Sequence, residues 1–224
     1  MNQYIVVEGL CSEQKVYPSW ILYTNSALTQ VFDLADIVSN NYYMISGMGY
    51  PQYFEIIQAA IDDVNTNETI DQLVICVDSE EMSFAEKKDE IEAFVEGKIE
   101  PWKVVIVIQH YCLETWALGN QVIHKRNPQD ETLRKYIRFH DACHSDPELI
   151  PNPSQFSMNR AQFCTDYLRR TLREKYPKLT YSKRDPSLLA HPKYFERIRL
   201  RFEKMNHIDS FSSFIGAFSD NTTT

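Results

Sequence analysis

Four stretches of the chain are apolar almost without a break, and they set the expected architecture. They are Tyr4-Ile5-Val6-Val7, Tyr42-Tyr43-Met44-Ile45, Leu73-Val74-Ile75-Cys76-Val77 and Val104-Val105-Ile106-Val107-Ile108. Runs of this kind predict strands buried on both faces, because a strand with one wet face alternates apolar and polar positions. Between them the spacing turns helical. Phe54, Ile56, Ile57, Ala60, Ile61 and Val64 keep a helical period behind Pro51, which suits a first helical turn. Residues 83–94 form a charged amphipathic segment that Gly97 should stop. Residues 12–23 predict a helix kinked or split at Pro18, and residues 25–38 read as helical around Val31, Phe32, Leu34, Ala35 and Ile37. Strand alternating with helix predicts an α/β fold, a four-stranded parallel sheet flanked by helices.

Past residue 120 the pattern becomes mostly helical. Residues 131–143, 158–175 and 192–204 predict helices, with Pro147, Pro151 and Pro153 marking a loop between the first two. Phe211, Phe214 and Phe218 form a small apolar face, and Thr222, Thr223 and Thr224 read as a frayed tail. The expected organisation is an α/β domain over residues 1–120 and a helical, basic extension over 121–224 packed on it.

Charge sharpens that division. Residues 1–120 hold five lysines and no arginine against nineteen acids, whereas the rest holds eighteen basic residues against twelve acidic ones. An acidic half suits cations and a basic half suits phosphates, although charge blocks are more often plain solvent faces. No window of eighteen apolar residues predicts a membrane span, and no basic flank with a small-residue cleavage site suggests a secretory leader. Five scattered cysteines without a CxxC pair fit free thiols, so the expected compartment is the cytoplasm.

Candidate chemistry gathers at the strand ends. Glu8 closes the first run, Asp78 the third with Glu80 and Glu81 behind it, and Glu114 follows the fourth. Gly9 supplies a turn expected to need glycine's backbone freedom. In a parallel sheet the C-terminal strand ends share one edge, where open α/β sheets bind ligands. Several carboxylates there repel one another, and a cation relieves the repulsion. Hard oxygen donors without paired Cys or His point to Mg²⁺ or Mn²⁺. The competing reading is solvated loop acids, or acids offsetting helix N-termini.

These residues also carry a resemblance. Val6-Val7-Glu8-Gly9-x-x-Ser12-Glu13 resembles the opening motif of Toprim-fold proteins, in the version found in OLD-type and RloB-like bacterial nucleases. Val77-Asp78-Ser79-Glu80 resembles the Asp-x-Asp motif of that fold, with Glu in place of the second Asp. Leu113-Glu114-Thr115-Trp116-Ala117-Leu118, and Tyr181-Ser182-Lys183 before an Arg-rich helix, resemble segments of a small Toprim-like branch associated with prokaryotic defence. The resemblance implies a Mg²⁺-dependent endonuclease acting on DNA or RNA, an effector in anti-phage defence. Residue by residue, it makes Glu8 a metal ligand and a catalytic acid or base, and Asp78 and Glu80 further ligands. Glu114 would support a second ion, and Lys183 would be catalytic as a stabiliser of phosphate charge. Glu81 could replace Glu80, and Glu13 matches the motif but could equally offset its helix dipole. A different class stays open: a catalytically silent Toprim-like subunit docking on an ATPase partner chain. No Walker motif is present, so any ATPase would be a second chain. Other Mg²⁺-dependent phosphotransfer is a third option.

The remaining candidates are weaker. Arg160, Arg169, Arg170 and Arg173, followed by Arg197, Arg199 and Arg201, form the expected nucleic-acid-binding surface, against a bland reading of ion pairs with nearby glutamates. His140, Cys143 and His144 lie within a helical turn or so but lack a second pair at zinc spacing. His110 could approach the acidic edge or simply sit in the core. Ser46-Gly47-Met48-Gly49 could let backbone approach a phosphate or be an ordinary turn. An oligomer is compatible with everything above.

Overall fold

The computed structural model describes residues 1–219; the three terminal threonines lie outside them. Five parallel strands form one sheet: β1 (Gln3–Val7), β2 (Thr29–Val31), β3 (Asn41–Ser46), β4 (Gln72–Asp78) and β5 (Val104–Gln109), in the order β2-β3-β1-β4-β5. The strand count therefore exceeds the expected four. The added strand is β2, in a stretch expected to be helical; it pairs Thr29 with Asn41 and Val31 with Tyr43 at the sheet's edge. A short edge strand needs only one partner and buries little, so it leaves no apolar run in the sequence. After it, Leu34–Asp36 makes a single 3₁₀ turn, and Phe32 is exposed.

β1 lies at the centre, with Val7 opposite Ser46 on one side and Cys76 on the other. Alternate side chains go to opposite faces. Tyr4, Val6, Leu73, Ile75 and Val77 pack beneath α2 (Tyr53–Thr66) and α3 (Phe84–Val95). Ile5, Val7, Val74, Cys76 and Val107 pack against the other helices. These are α1 (Ser12–Thr24), α4 (Leu113–Leu118), α5 (Glu131–Phe139), α6 (Arg160–Lys175), α7 (Pro192–Met205) and α8 (Phe211–Phe218). That second core is continuous across residue 120: Trp20 and Trp116 meet Phe195, Phe211 and Phe214 in one aromatic group.

Two local expectations change. α1 runs unbroken through Pro18. A proline there forfeits one backbone bond and crowds the preceding turn, but Val16, Tyr17, Trp20 and Ile21 are fully buried and hold the helix together. α5 stops at Phe139, four residues early, because His140 is extended while its N–H still reaches Tyr136 O at 2.8 Å. Gly97 does adopt a left-handed conformation (φ +70°) just beyond α3, and Ser83 starts that helix through a reciprocal capping box with Glu86.

Candidate functional site

The C-terminal edge of the sheet gathers acids from several elements. Glu8 follows β1, Asp78 ends β4, Glu114 sits in the first turn of α4 and Glu13 in the first turn of α1. Glu8, Glu13 and Glu114 are buried and Asp78 is half-buried. Glu8 Oε2 accepts the Asp78 N–H at 2.9 Å, which ties the ends of the two central strands together. The Tyr181 hydroxyl donates to Glu114 Oε1 at 2.7 Å. Lys183 Nζ stands 3.9 Å from Glu114 Oε2, close enough for attraction but beyond a hydrogen bond. Asp78 Oδ1 is buried and has no partner among the described residues.

Gly9 serves this cluster in an unexpected way. Its φ is not left-handed, so backbone freedom is not what the position requires. A Cβ there would instead lie 2.1 Å from Glu13 Oε2. Glycine makes room for the Glu13 carboxylate.

Crowding shows in the titration of these groups. Burial raises the pKa of Glu8, and the charge of Glu80 adds to it. Burial, with Glu114 and Glu8 nearby, lifts Glu13 from 4.5 to about 7. Asp78 is raised well above its ordinary value by burial and then by Glu8 and Glu13. Burial works against the charge on Lys183, but Glu114, Cys112, Asp78 and Glu13 outweigh it and hold the ammonium above the ordinary lysine range. Several acids share Lys183, and Glu8 also feels the buried Lys87.

Lys183 is brought in by a strap between α6 and α7, residues 176–191. Ser12 Oγ donates to Lys183 O at 3.1 Å, Lys15 Nζ to Arg184 O at 2.6 Å, and Trp20 Nε1 to Leu189 O at 2.8 Å. The basic half of the chain is thus fastened to the first helix. Glu80 is exposed, at a left-handed φ of 49° in the turn after β4. Glu81 is held by Arg160, whose Nη1 lies 2.8 Å from Glu81 Oε2.

The arginines lie in different settings. Arg169 and Arg170 pair with Asp166, and Arg170 and Arg173 reach Asp130 Oδ2 at 2.8 and 3.1 Å. The side chains of Arg169 and Arg173 stay more than half exposed. Arg201 is buried and donates to the carbonyls of Ala142, Cys143 and Ser145, so it builds the loop after α5 instead of a surface.

The other candidates are accounted for locally. His140 bonds Asp146 O and His144 bonds Asp141, each on its own partner. His110 Nδ1 meets Ser79 Oγ at 2.8 Å; burial, with Arg160 nearby, lowers its pKa to about 4 and keeps it neutral. The N–H groups of Gly47, Met48 and Gly49 go to Val7 O, Ser46 Oγ and Glu8 O, so this turn buttresses the end of β1 and offers no cradle to an anion.

Sequence reasoning underrated Glu13 and missed the role of Tyr181. Glu13 carried a signal, since an acid one turn past a strand-ending acid returns to the same edge; the Tyr181–Glu114 bond spans 67 residues, and its one trace was the place of Tyr181 beside Lys183 in the Tyr181-Ser182-Lys183 segment. Among the described residues no three His, Cys, Asp or Glu side chains are already disposed as a metal centre, and no helix is long and apolar enough to cross a membrane. The chain matches no protein-family model, no curated protein and no solved structure.

Proposed function

We propose that the protein is a divalent-cation-dependent nuclease on a Toprim-like scaffold, hydrolysing phosphodiester bonds of DNA or RNA at the C-terminal edge of the sheet. One observation carries this reading: Glu8, Glu13, Asp78 and Glu114 converge from four elements around Lys183, with Asp78 Oδ1 buried and without a partner among the described residues. Buried charges kept only for stability are normally paired. An excess of carboxylate is relieved by protonation or by a cation.

The donors are all carboxylate oxygens, which suits Mg²⁺ or Mn²⁺. Glu8 and Asp78 would hold the ion, Glu80 would join from the following turn, and Glu114 would support a second. Bound there, such an ion polarises a phosphoryl oxygen and lowers the pKa of a water. Lys183 neutralises charge developing on the phosphate. Glu13, titrating at about 7, holds or releases a proton at neutral pH. The anti-phage setting comes with the resemblance alone.

The silent-subunit reading has two observations in its favour. Glu114 is already engaged by Tyr181 and Lys183, and no ligand set is preassembled among the described residues. The two readings part in one assay. Plasmid, single-stranded DNA and transfer RNA are incubated with Mg²⁺, Mn²⁺ or EDTA, with Glu8→Ala beside the wild type. Metal-dependent cleavage lost in the variant supports the nuclease. Absence of cleavage, together with absence of Mn²⁺ binding by calorimetry, leaves the silent subunit.

A further inference from the structure

Beside the carboxylate cluster lies an open cleft of about 540 Å³, lined by Glu80, the first three turns of α6, and Ser182 and Lys183 of the strap. Its volume falls in the range of ligand pockets, roughly 300–1,000 Å³. Four of its lining side chains, Gln162, Arg169, Ser182 and Lys183, are solvent-exposed donors whose capacity the protein itself leaves partly unused. Gln162 Oε1 accepts the Asn159 N–H at 3.1 Å and completes the helix cap, which leaves Nε2 without an acceptor among the described residues. Ser182 Oγ accepts the Asp185 N–H at 3.0 Å, and its own proton has no acceptor among the described residues. Among the described residues Lys183 Nζ makes no hydrogen bond, and its one ion pair is the 3.9 Å approach to Glu114. Arg169 gives one guanidinium nitrogen to Asp166, and its side chain is 55% exposed. Two elements therefore present two neutral and two cationic donors with remaining capacity to one concavity. Asp166, the acid nearest Arg169 in the lining, is already bonded by Arg169, Arg170 and Tyr136.

We infer that this cleft is a subsite for the phosphate that flanks the scissile bond in a single-stranded polynucleotide. Donors without acceptors, two of them cationic, match phosphate oxygens. No aromatic side chain lines the cleft, so bases are not stacked there, and the contact positions the strand without reading sequence. At about 540 Å³ the cleft has the volume of a small-ligand pocket, room for a nucleotide unit of a strand and not for a duplex within it. The polynucleotide, as opposed to a free nucleotide, follows from the nuclease reading, on which the inference rests.

The test is fluorescence anisotropy in EDTA with short labelled single-stranded DNA and RNA, competed by the matching duplex, adenosine monophosphate or inorganic phosphate. Gln162→Glu keeps the capping acceptor but sets a carboxylate against the phosphate; Arg169→Gln removes a half-exposed charge. Each variant should weaken strand binding about tenfold, and Arg169→Gln should flatten the dependence of log affinity on log salt by ~0.7. Thermal melts of both variants should stay near wild type. Wild-type protein that binds no strand at low salt overturns the subsite. So does metal-dependent cleavage and binding unchanged in both variants, which leaves the nuclease reading standing. Competition by adenosine monophosphate as strong as by the strand overturns the polynucleotide assignment. Strand binding that falls in both variants, with no cleavage under any metal, keeps the cleft as a strand-phosphate site but overturns the nuclease reading and, with it, the placement beside a scissile bond.

Discussion

Two acidic clusters in this molecule share residue types and differ in how they are balanced. At the junction of α5 and α6, Asp130 accepts the Leu133 N–H at the start of α5 and meets Arg170 and Arg173, while Asp166 meets Arg169, Arg170 and the Tyr136 hydroxyl. Burial alone would raise both carboxyls, but these donors outweigh it and hold them below the ordinary aspartate value. At the sheet edge the acids are raised, and one oxygen has no partner among the described residues. The first cluster fastens helices together. The second stores repulsion that a ligand can relieve, which is how perturbed carboxylates come to mark functional sites.

The comparison breaks most sharply in activity. Glu8→Ala should lower metal-dependent cleavage about a thousandfold, equivalent to ~4 kcal/mol of barrier, with the fold retained by circular dichroism. An equal loss in Asp130→Ala would show that the two clusters do not differ in kind.

Acidity should pull the clusters in opposite directions. Glu13 titrates at about 7 when folded and at 4.5 ordinarily. The folded state thus binds that proton more tightly, and stability falls as pH rises from 4.5 to 7, by up to ~3 kcal/mol. Glu8 and Asp78 share this sign, as does Glu148, buried against Ser210 and also near 7. Asp130 and Asp166, being lowered, contribute stability that is lost only as pH falls below 3.8 through their folded values. Urea melts at pH 5 and pH 8 in EDTA would measure the slope. Glu13→Gln should reduce it, and Mg²⁺ should shrink it further; a slope identical in wild type and Glu13→Gln would refute the assignment.

Stability changes upon neutralisation should also have opposite signs. Asp130→Ala removes a helix cap and the partner of two arginines, and should cost ~2 kcal/mol in a denaturant melt. Asp78→Asn removes charge from the crowded edge at nearly constant shape, and should stabilise the metal-free protein by ~1 kcal/mol. Destabilisation by Asp78→Asn in EDTA would mean that the edge is already balanced.

The sequence revealed the parts of this picture that are local. The strands β1 and β4 carry unbroken apolar runs because both their faces are covered, and β3 and β5, though partly open, keep such runs as well, so their ends and the acids at those ends could be located. β2 escaped notice because Thr29, Gln30 and Val31 sit at an edge and carry no buried pattern. Gly9 was recognised as a necessary glycine but for the wrong reason, since its constraint is the Glu13 carboxylate and not its own dihedral. Asp166 with Arg169 and Arg170 had the spacing of helical ion pairs, so their pairing was readable; Asp130, distant in sequence, was not. Arg201 looked like its surface neighbours because nothing in a charge pattern marks the residue that turns inward.

The tryptophans give the molecule a built-in optical probe. Trp116 lies two positions beyond Glu114 on α4, is fully buried, and donates to Ser210 Oγ at 2.7 Å; Trp20 is equally enclosed beside it, and Trp102 alone is largely exposed. A Trp102→Phe protein would emit only from the aromatic group behind the acidic edge. Any movement of α4 on cation or strand binding would then change the colour of its intrinsic fluorescence, with no label attached.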